Sequence, residues 1–306
     1  MTRFKLTLVG LLVFQLAIAA GLFWNQQADQ HAAPRGSLLS MSAAGADRLI
    51  VKDTEGNDVT LRKSGEAWQL DNLFELPADL NKVETLLSKL EKLQQDWPVT
   101  TTEESHERFE VSDEKFQRHL RIFEGDQLVV DVYLGTSPGF RSVHLRQSGD
   151  DAVYAAPLNT FDLPVDSSDW LDQSLLSIKD VSWIEGPDYR LQKEGESWRL
   201  SAKDVNHADN RSANPDAADQ LSKALRNLQV TAAHEHLPDA KEVAKLPLTV
   251  GSGESLWEYE FIQSGDQFFV RRSGLAAVFA MSPATYEKIA KANFDALSAV
   301  EEPAAD

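Results

Sequence analysis

The chain has seven histidines, His31, His106, His119, His144, His207, His234 and His236, and only the last two stand close together. In His234-Glu235-His236 the imidazoles are two residues apart. On a strand that spacing turns both to one side, where they could chelate a metal. The pair lacks a helical His-x-x-x-His spacing and has no cysteine partner, because the chain contains no cysteine. His234 and His236 are thus the metal candidates of the sequence, set against the plainer reading of a solvated loop.

Carboxylates gather twice. Glu103-Glu104, Glu107 and Glu110 crowd one polar stretch, and Asp166, Asp169 and Asp172 another. A catalytic carboxylate pair needs one member in an apolar pocket, so that the two pKa values separate. Both clusters lie among Ser, Thr and Asp, and a solvated face is expected of each. A Gly-x-Ser-x-Gly elbow is absent, as is Ser-x-x-Lys with its partner motifs. Gly251-Ser252-Gly253 is not followed by Lys-Ser or Lys-Thr, so it reads as a turn and not as a phosphate loop. No catalytic residue and no cofactor are expected, and the chain is read as a non-enzyme.

Seven tryptophans raise the possibility of sugar stacking. Trp68 and Trp198, however, occupy equivalent places in a repeat beside a leucine, which points to core anchors. Trp97, Trp170, Trp183 and Trp257 also lie in apolar contexts.

The elements that would carry these residues begin with an apolar segment. Arg3 and Lys5 precede Leu6–Trp24, 19 residues without a charge. About 20 such residues span a bilayer as a helix. The basic tip would stay in the cytoplasm, and Trp24 suits the outer interface. Residues 1–24 are therefore read as a cytoplasmic tip and single-pass inner-membrane anchor, with the bulk of the chain in the periplasm. Gly10, Ala17 and Gly21 share one face of that helix and permit close helix packing. The rival is a signal peptide cleaved after Ala17-Ile18-Ala19. Residues 25–46, rich in Ala, Gln, Ser and Gly, read as a flexible tether.

The net charge of −18 repels phosphate backbones, so nucleic acid is excluded as a partner. The lack of cysteine removes disulfides, thiolate sites and a lipid-anchored cysteine together.

A repeat organises the rest. Leu61–Leu70 and Leu191–Leu200 align without gaps and share Leu, Lys, Gly, Glu, Trp and Leu at six places. Each reads as a hairpin turning at Gly65 or Gly195. An amphipathic helix follows in each copy, about Asp79 to Gln94 and Asp216 to Gln229. Leu80, Val83, Leu86, Leu87, Leu90 and Leu93 form the buried stripe of the first. Pro77 and Pro215 stand just ahead of the two helices. A second hairpin is expected from His119–Phe123 and Gln127–Leu134, matched by Trp257–Ile262 and Gln267–Arg271. Trp170-Leu171-Asp172 would match the patch Phe294–Leu297. The fold class is α+β: an N-terminal transmembrane helix, then two repeated lobes of antiparallel strands with one amphipathic helix each. The lobes are placed at 47–178 and 179–299, with an acidic tail at 300–306. One continuous sheet shared by both halves is the alternative.

These residues resemble a family. The Gly-Glu-x-Trp-x-Leu hairpin, Pro77–Leu90, Val-Tyr-Leu-Gly at Val132–Gly135, Val153-Tyr154 and Trp170–Leu176 are similar to the bacterial domain of unknown function 4340 (DUF4340). The resemblance implies a membrane-anchored, envelope-facing protein, akin to auxiliary proteins of gliding-motility-type ABC transporters. It implies integral-membrane transporter subunits as partners and carries no catalytic residue. The expected function is a non-enzymatic accessory or scaffold subunit of an ABC-type transport or motility system. The alternatives are a periplasmic glycan- or peptide-binding module using a cleft between the lobes, and a hydrolase with an unrecognised site.

Overall fold

A computed structural model of the chain describes residues 36–203, 210–237 and 243–299, together with Gln15. The expected anchor Leu6–Trp24, with Gly10, Ala17 and Gly21, lies outside the described residues but for Gln15. So do residues 25–35 of the tether and the tail 300–306. Among the described residues no helix is long and apolar enough to cross a membrane.

Two large antiparallel sheets dominate. The first holds β1 (Arg48–Lys52), β2 (Asp58–Ser64), β3 (Ala67–Leu70), β4 (Leu76–Pro77), β5 (Arg118–Glu124), β6 (Gln127–Leu134), β7 (Val143–Gln147) and β8 (Val153–Ala156). Their order across the sheet is β4-β3-β2-β1-β5-β6-β7-β8. The second holds β9 (Trp183–Glu185), β10 (Tyr189–Glu194), β11 (Ser197–Ala202), β12 (Asn210–Ser212), β13 (Val230–His234), β14 (Val243–Ser252), β15 (Ser255–Ser264), β16 (Gln267–Arg272) and β17 (Val278–Met281). Its order is β12-β11-β10-β9-β14-β15-β16-β17-β13. The helices are α1 (Leu80–Glu91), α2 (Glu104–Phe109), α3 (Pro215–Arg226), α4 (Pro283–Ala290) and α5 (Phe294–Leu297). Contact density divides the chain into two compact units, Met1–Asp58 with Glu84–Val165, and Val59–Val83 with Asp166–Asp306.

The two sheet orders match strand for strand when β1 is set on β9, and the duplication is visible in them. The edge strand β13 has its counterpart in Thr100, bridged to Val153 of β8. Two details repeat at the helix starts. Ala78 bridges Leu171 as Ala213 bridges Ser298. The Asp172 N–H donates to Pro77 O at 2.9 Å, as that of Ala299 does to Ser212 O at 2.8 Å.

Several expectations need correction. The fold is mainly β, and each copy carries more than one helical segment. The second hairpin is matched one strand out of place, because sheet order sets β5–β6 on β14–β15. Gly125, Gly253 and Gly265 all turn with φ near +60° (60°, 57° and 61°). Three hairpins therefore carry the same local signal, and only the long-range pairing separates them. Leu297, not Phe294, stands where the first copy has Trp170. Pro215 is the first helical residue behind the Asn214 cap, whereas Pro77 lies in β4. The first copy's helix begins instead at Leu80, which is 41% exposed because it sits in the first turn at the margin of the stripe. Val83, Leu86, Leu87 and Leu90 are buried, as are Leu221 and Leu225 of α3.

Trp68 of β3 and Trp198 of β11 are 2% and 8% exposed. Each lies two residues from a fully buried leucine, Leu70 or Leu200, on the inward face of its strand. Trp97 departs from its expected setting and is 63% exposed. In the second sheet Gly251 lies beneath the Trp183 ring, and an added Cβ would come within 2.0 Å of the indole nitrogen.

Candidate functional site

An open, acidic cleft of about 690 Å³ lies in the first unit. Three segments build it: α2 with the residue before it, the turn at Ser112–Glu114, and the end of β7 with the turn Gly149–Asp151. Helix α2 ends on Glu110, whose φ of 55° and ψ of 47° reverse the chain. Its N–H donates to the carbonyls of Glu107 and His106, closing the last turn. The reversal sends Val111 into a small core with Tyr133 and Val153. Gly135 permits this approach, because a Cβ there would meet Phe109 O at 2.0 Å. Thr136 adds a hydrogen bond from its N–H to the same oxygen at 2.8 Å.

Two basic side chains are sunk in the cleft wall. Arg146 is 5% exposed. Its Nε donates to Val111 O at 2.6 Å and its Nη1 to Asp150 O at 3.2 Å, while Nη2 pairs with the Asp113 carboxylate. Its guanidinium lies 4.9 Å from the centre of the Tyr133 ring. A buried guanidinium is tolerated when its donors are satisfied in this way. His106 is also buried and meets Asp151 O through Nε2 at 3.0 Å. Around them, Glu103, Glu104, Glu107, Asp113, Glu114, Asp150 and Asp151 face solvent.

An aromatic cluster backs the cleft. The Tyr133 ring stacks on His119 with centroids 4.3 Å apart, and His119 Nε2 meets Asp131 Oδ1 at 2.5 Å. Burial pushes the Tyr133 hydroxyl above its ordinary pKa, and the carboxylates of Asp113 and Asp131 add to this. His144 packs against Phe109 with centroids 4.1 Å apart, and its Nδ1 meets Thr136 Oγ1 at 2.9 Å. Burial holds the His144 imidazole below its usual pKa, with the nearby Arg108 charge acting in the same sense.

The sequence candidates fall in various places. Glu103, Glu104 and Glu107 line the cleft, joined by Asp113, Glu114, Asp150 and Asp151, which the sequence reading did not connect with them. Glu110 turns away to accept from Gln117 Nε2 at 2.9 Å. Asp166 and Asp172 serve local turns, taking the N–H groups of Ser168 at 2.8 Å and Ser174 at 2.9 Å. His234 ends β13 and His236 lies in the bend after it, both exposed. Glu235 approaches His236 Nε2 at 3.7 Å. Among the described residues no three His, Asp or Glu side chains gather as a metal site. His106 and Arg146 were not singled out; the only sequence signal of Arg146 is a charged residue on an alternating strand, and His106 is a single histidine in a short acidic helix. Chemically, the cleft presents a fixed negative field suited to cationic groups on a partner surface.

Sheet order, repeated helix pinning and the hairpin tryptophans define a class: an internally duplicated antiparallel β protein whose copies each carry a broad sheet and a capped helix. The family model for a domain of unknown function (DUF4340) matches residues 68–249, more than half of the chain, and the chain belongs to that family. The match runs from Trp68 into β14, within the stretch 47–299 in which the two lobes are placed. No curated protein and no solved structure matches the chain.

Proposed function

We propose that this protein is a non-enzymatic accessory or scaffold subunit of an ABC-type transport or motility system, anchored in the bacterial inner membrane by Leu6–Trp24 and facing the periplasm. The observation that carries the reading is the commitment of the cleft's two buried basic groups. His106 meets one backbone carbonyl through Nε2, and Arg146 two carbonyls and Asp113, so the guanidinium is not presented as an anion clamp. The solvent-facing carboxylates around them suit contact with a basic protein surface more than chemistry on a small substrate. The uncharged N-terminal segment and membership of DUF4340 support the membrane setting and the family's implied partners.

Crosslinking and affinity purification from cells in mild detergent test this. The parent should recover integral-membrane transporter subunits, and a variant carrying Ala17→Leu and Gly21→Leu should recover fewer. The double substitution keeps the segment apolar and blocks close helix approach. If neither form recovers a membrane-transport component, the accessory reading fails and a periplasmic binding module becomes the better account.

A further inference from the structure

A second concavity, of about 390 Å³, lies wholly in the second unit, between the β10–β11 hairpin, α3 and the segment leading into β9. Three cations line it: Lys179, Lys193 and Arg226. None of them is ion-paired among the described residues. Lys193 instead holds its ammonium 5.9 Å from the centre of the Trp198 ring. Asp180 and Asp219 also line the pocket, and the Asp219 carboxylate accepts from Trp198 Nε1 at 3.0 Å. Three cations against two carboxylates leave the lining at about +1, on a chain whose net charge is −18. Ser222 completes the wall. It is 5% exposed, and its hydroxyl has no hydrogen-bond partner among the described residues.

The duplication supplies an internal control. Setting Leu86 and Leu90 of α1 on Leu221 and Leu225 of α3 places Glu84 on Asp219, Leu87 on Ser222 and Glu91 on Arg226. The hairpin alignment places Lys63 on Lys193. The first copy therefore has a buried leucine, 3% exposed, where the second has its buried hydroxyl. It also has an acid where the second has Arg226, and that acid is engaged: Glu91 Oε1 accepts from the Ala43 N–H at 3.2 Å. The plain account of Arg226 is that a cation in the last turn complements the helix dipole. That does not explain why the helix position of Ser222 carries a hydroxyl facing the pocket where the first copy carries a buried leucine.

We propose that the second copy carries an anion-binding pocket that the first copy lacks, in which Lys179, Lys193, Arg226 and the Ser222 hydroxyl receive a phosphate or carboxylate group of a small ligand. The pocket does not depend on the accessory-subunit reading.

Isothermal titration calorimetry on the full-length chain in mild detergent, at constant ionic strength, tests the proposal with inorganic phosphate and with succinate as probes. At least one anion should bind saturably at one site, and the preferred one fixes the class. Arg226→Glu and Ser222→Leu each install the first copy's residue, and Arg226→Glu should weaken binding about tenfold or more, the worth of one charge-assisted hydrogen bond. Lys63→Glu, at the equivalent place in the first copy, should leave affinity unchanged. Urea midpoints establish that each variant folds, and Arg226→Gln replaces Arg226→Glu if the latter does not. The proposal is overturned if neither anion saturates, if the Arg226 variant binds like the parent, or if Lys63→Glu weakens binding equally.

Discussion

The backbone N–H of Asp79 donates to the carbonyl oxygen of Trp170 at 2.7 Å, so the residue ahead of α1 is tied to the far end of its own repeat. Asn214 and Leu297 make the same bond at 2.8 Å in the second copy. Both tied residues also cap their helices. Asn214 Oδ1 accepts from the N–H groups of Asp216 and Ala217, and Asp79 Oδ1 from that of Lys82. Asn214→Ala and Asp79→Ala should each lower stability by about 1 kcal/mol, a usual cost of losing such a cap. Urea denaturation should show a lower midpoint with an unchanged slope. Asn214→Asp, which keeps the acceptor, should stay close to the parent.

The paired tryptophans should be worth more. Truncating a large buried aromatic costs about 3–5 kcal/mol, and Trp68→Ala and Trp198→Ala should both fall in that range. Trp198→Phe retains an apolar ring but leaves Asp219 without its indole donor, so it should cost less than the alanine. Thermal melts of the three variants check this. A parent-like melt for either alanine variant would remove that tryptophan from the core.

His144 gives a pH dependence of definite sign. Its folded-state pKa lies below the ordinary histidine value, so protons bind more readily to the unfolded chain. Its contribution is intact above the unfolded pKa of about 6.5 and is lost as the pH falls from there toward the lower folded value. Between about pH 7 and 5 the parent should therefore lose more stability than His144→Gln, which cannot titrate. Urea midpoints across that range, compared between the two, isolate this group from the many carboxylates. Equal slopes would show that the imidazole titrates alike in both states.

How much of this was legible in the sequence depended on locality. The Trp68 and Trp198 hairpins were, because Leu, Gly and Trp at fixed spacing encode a strand, a turn and an inward face within ten residues. The leucine stripes of α1 and α3 were legible for the same reason, down to the edge of the stripe, where Leu80 falls outside it. Strand partnership was not, since Gly125, Gly253 and Gly265 announce identical turns and leave the pairing to contacts far apart in the chain. The acidic cleft was half legible. Glu103, Glu104 and Glu107 are neighbours in sequence, whereas Asp113, Glu114, Asp150 and Asp151 reach them only through the reversal at Glu110 and the buried anchoring of Arg146. Trp97 misled because apolar neighbours in sequence are not neighbours in space.

The central pairing of each sheet has a kinetic consequence. Arg48 of β1 lies opposite Phe123 of β5, and Glu185 of β9 opposite Thr249 of β14, so each sheet is joined at its middle by strands with a hairpin and at least one helix between them in the chain. The hairpins on either side are local and close within microseconds. The joining pair must first bring together the ends of a long loop, whose closure entropy is met before any contact repays it. Folding of each copy should therefore wait on the β1–β5 or β9–β14 encounter. Until then the chain exposes two half-sheets with open edges, the state in which two similar copies are most able to exchange strands with one another.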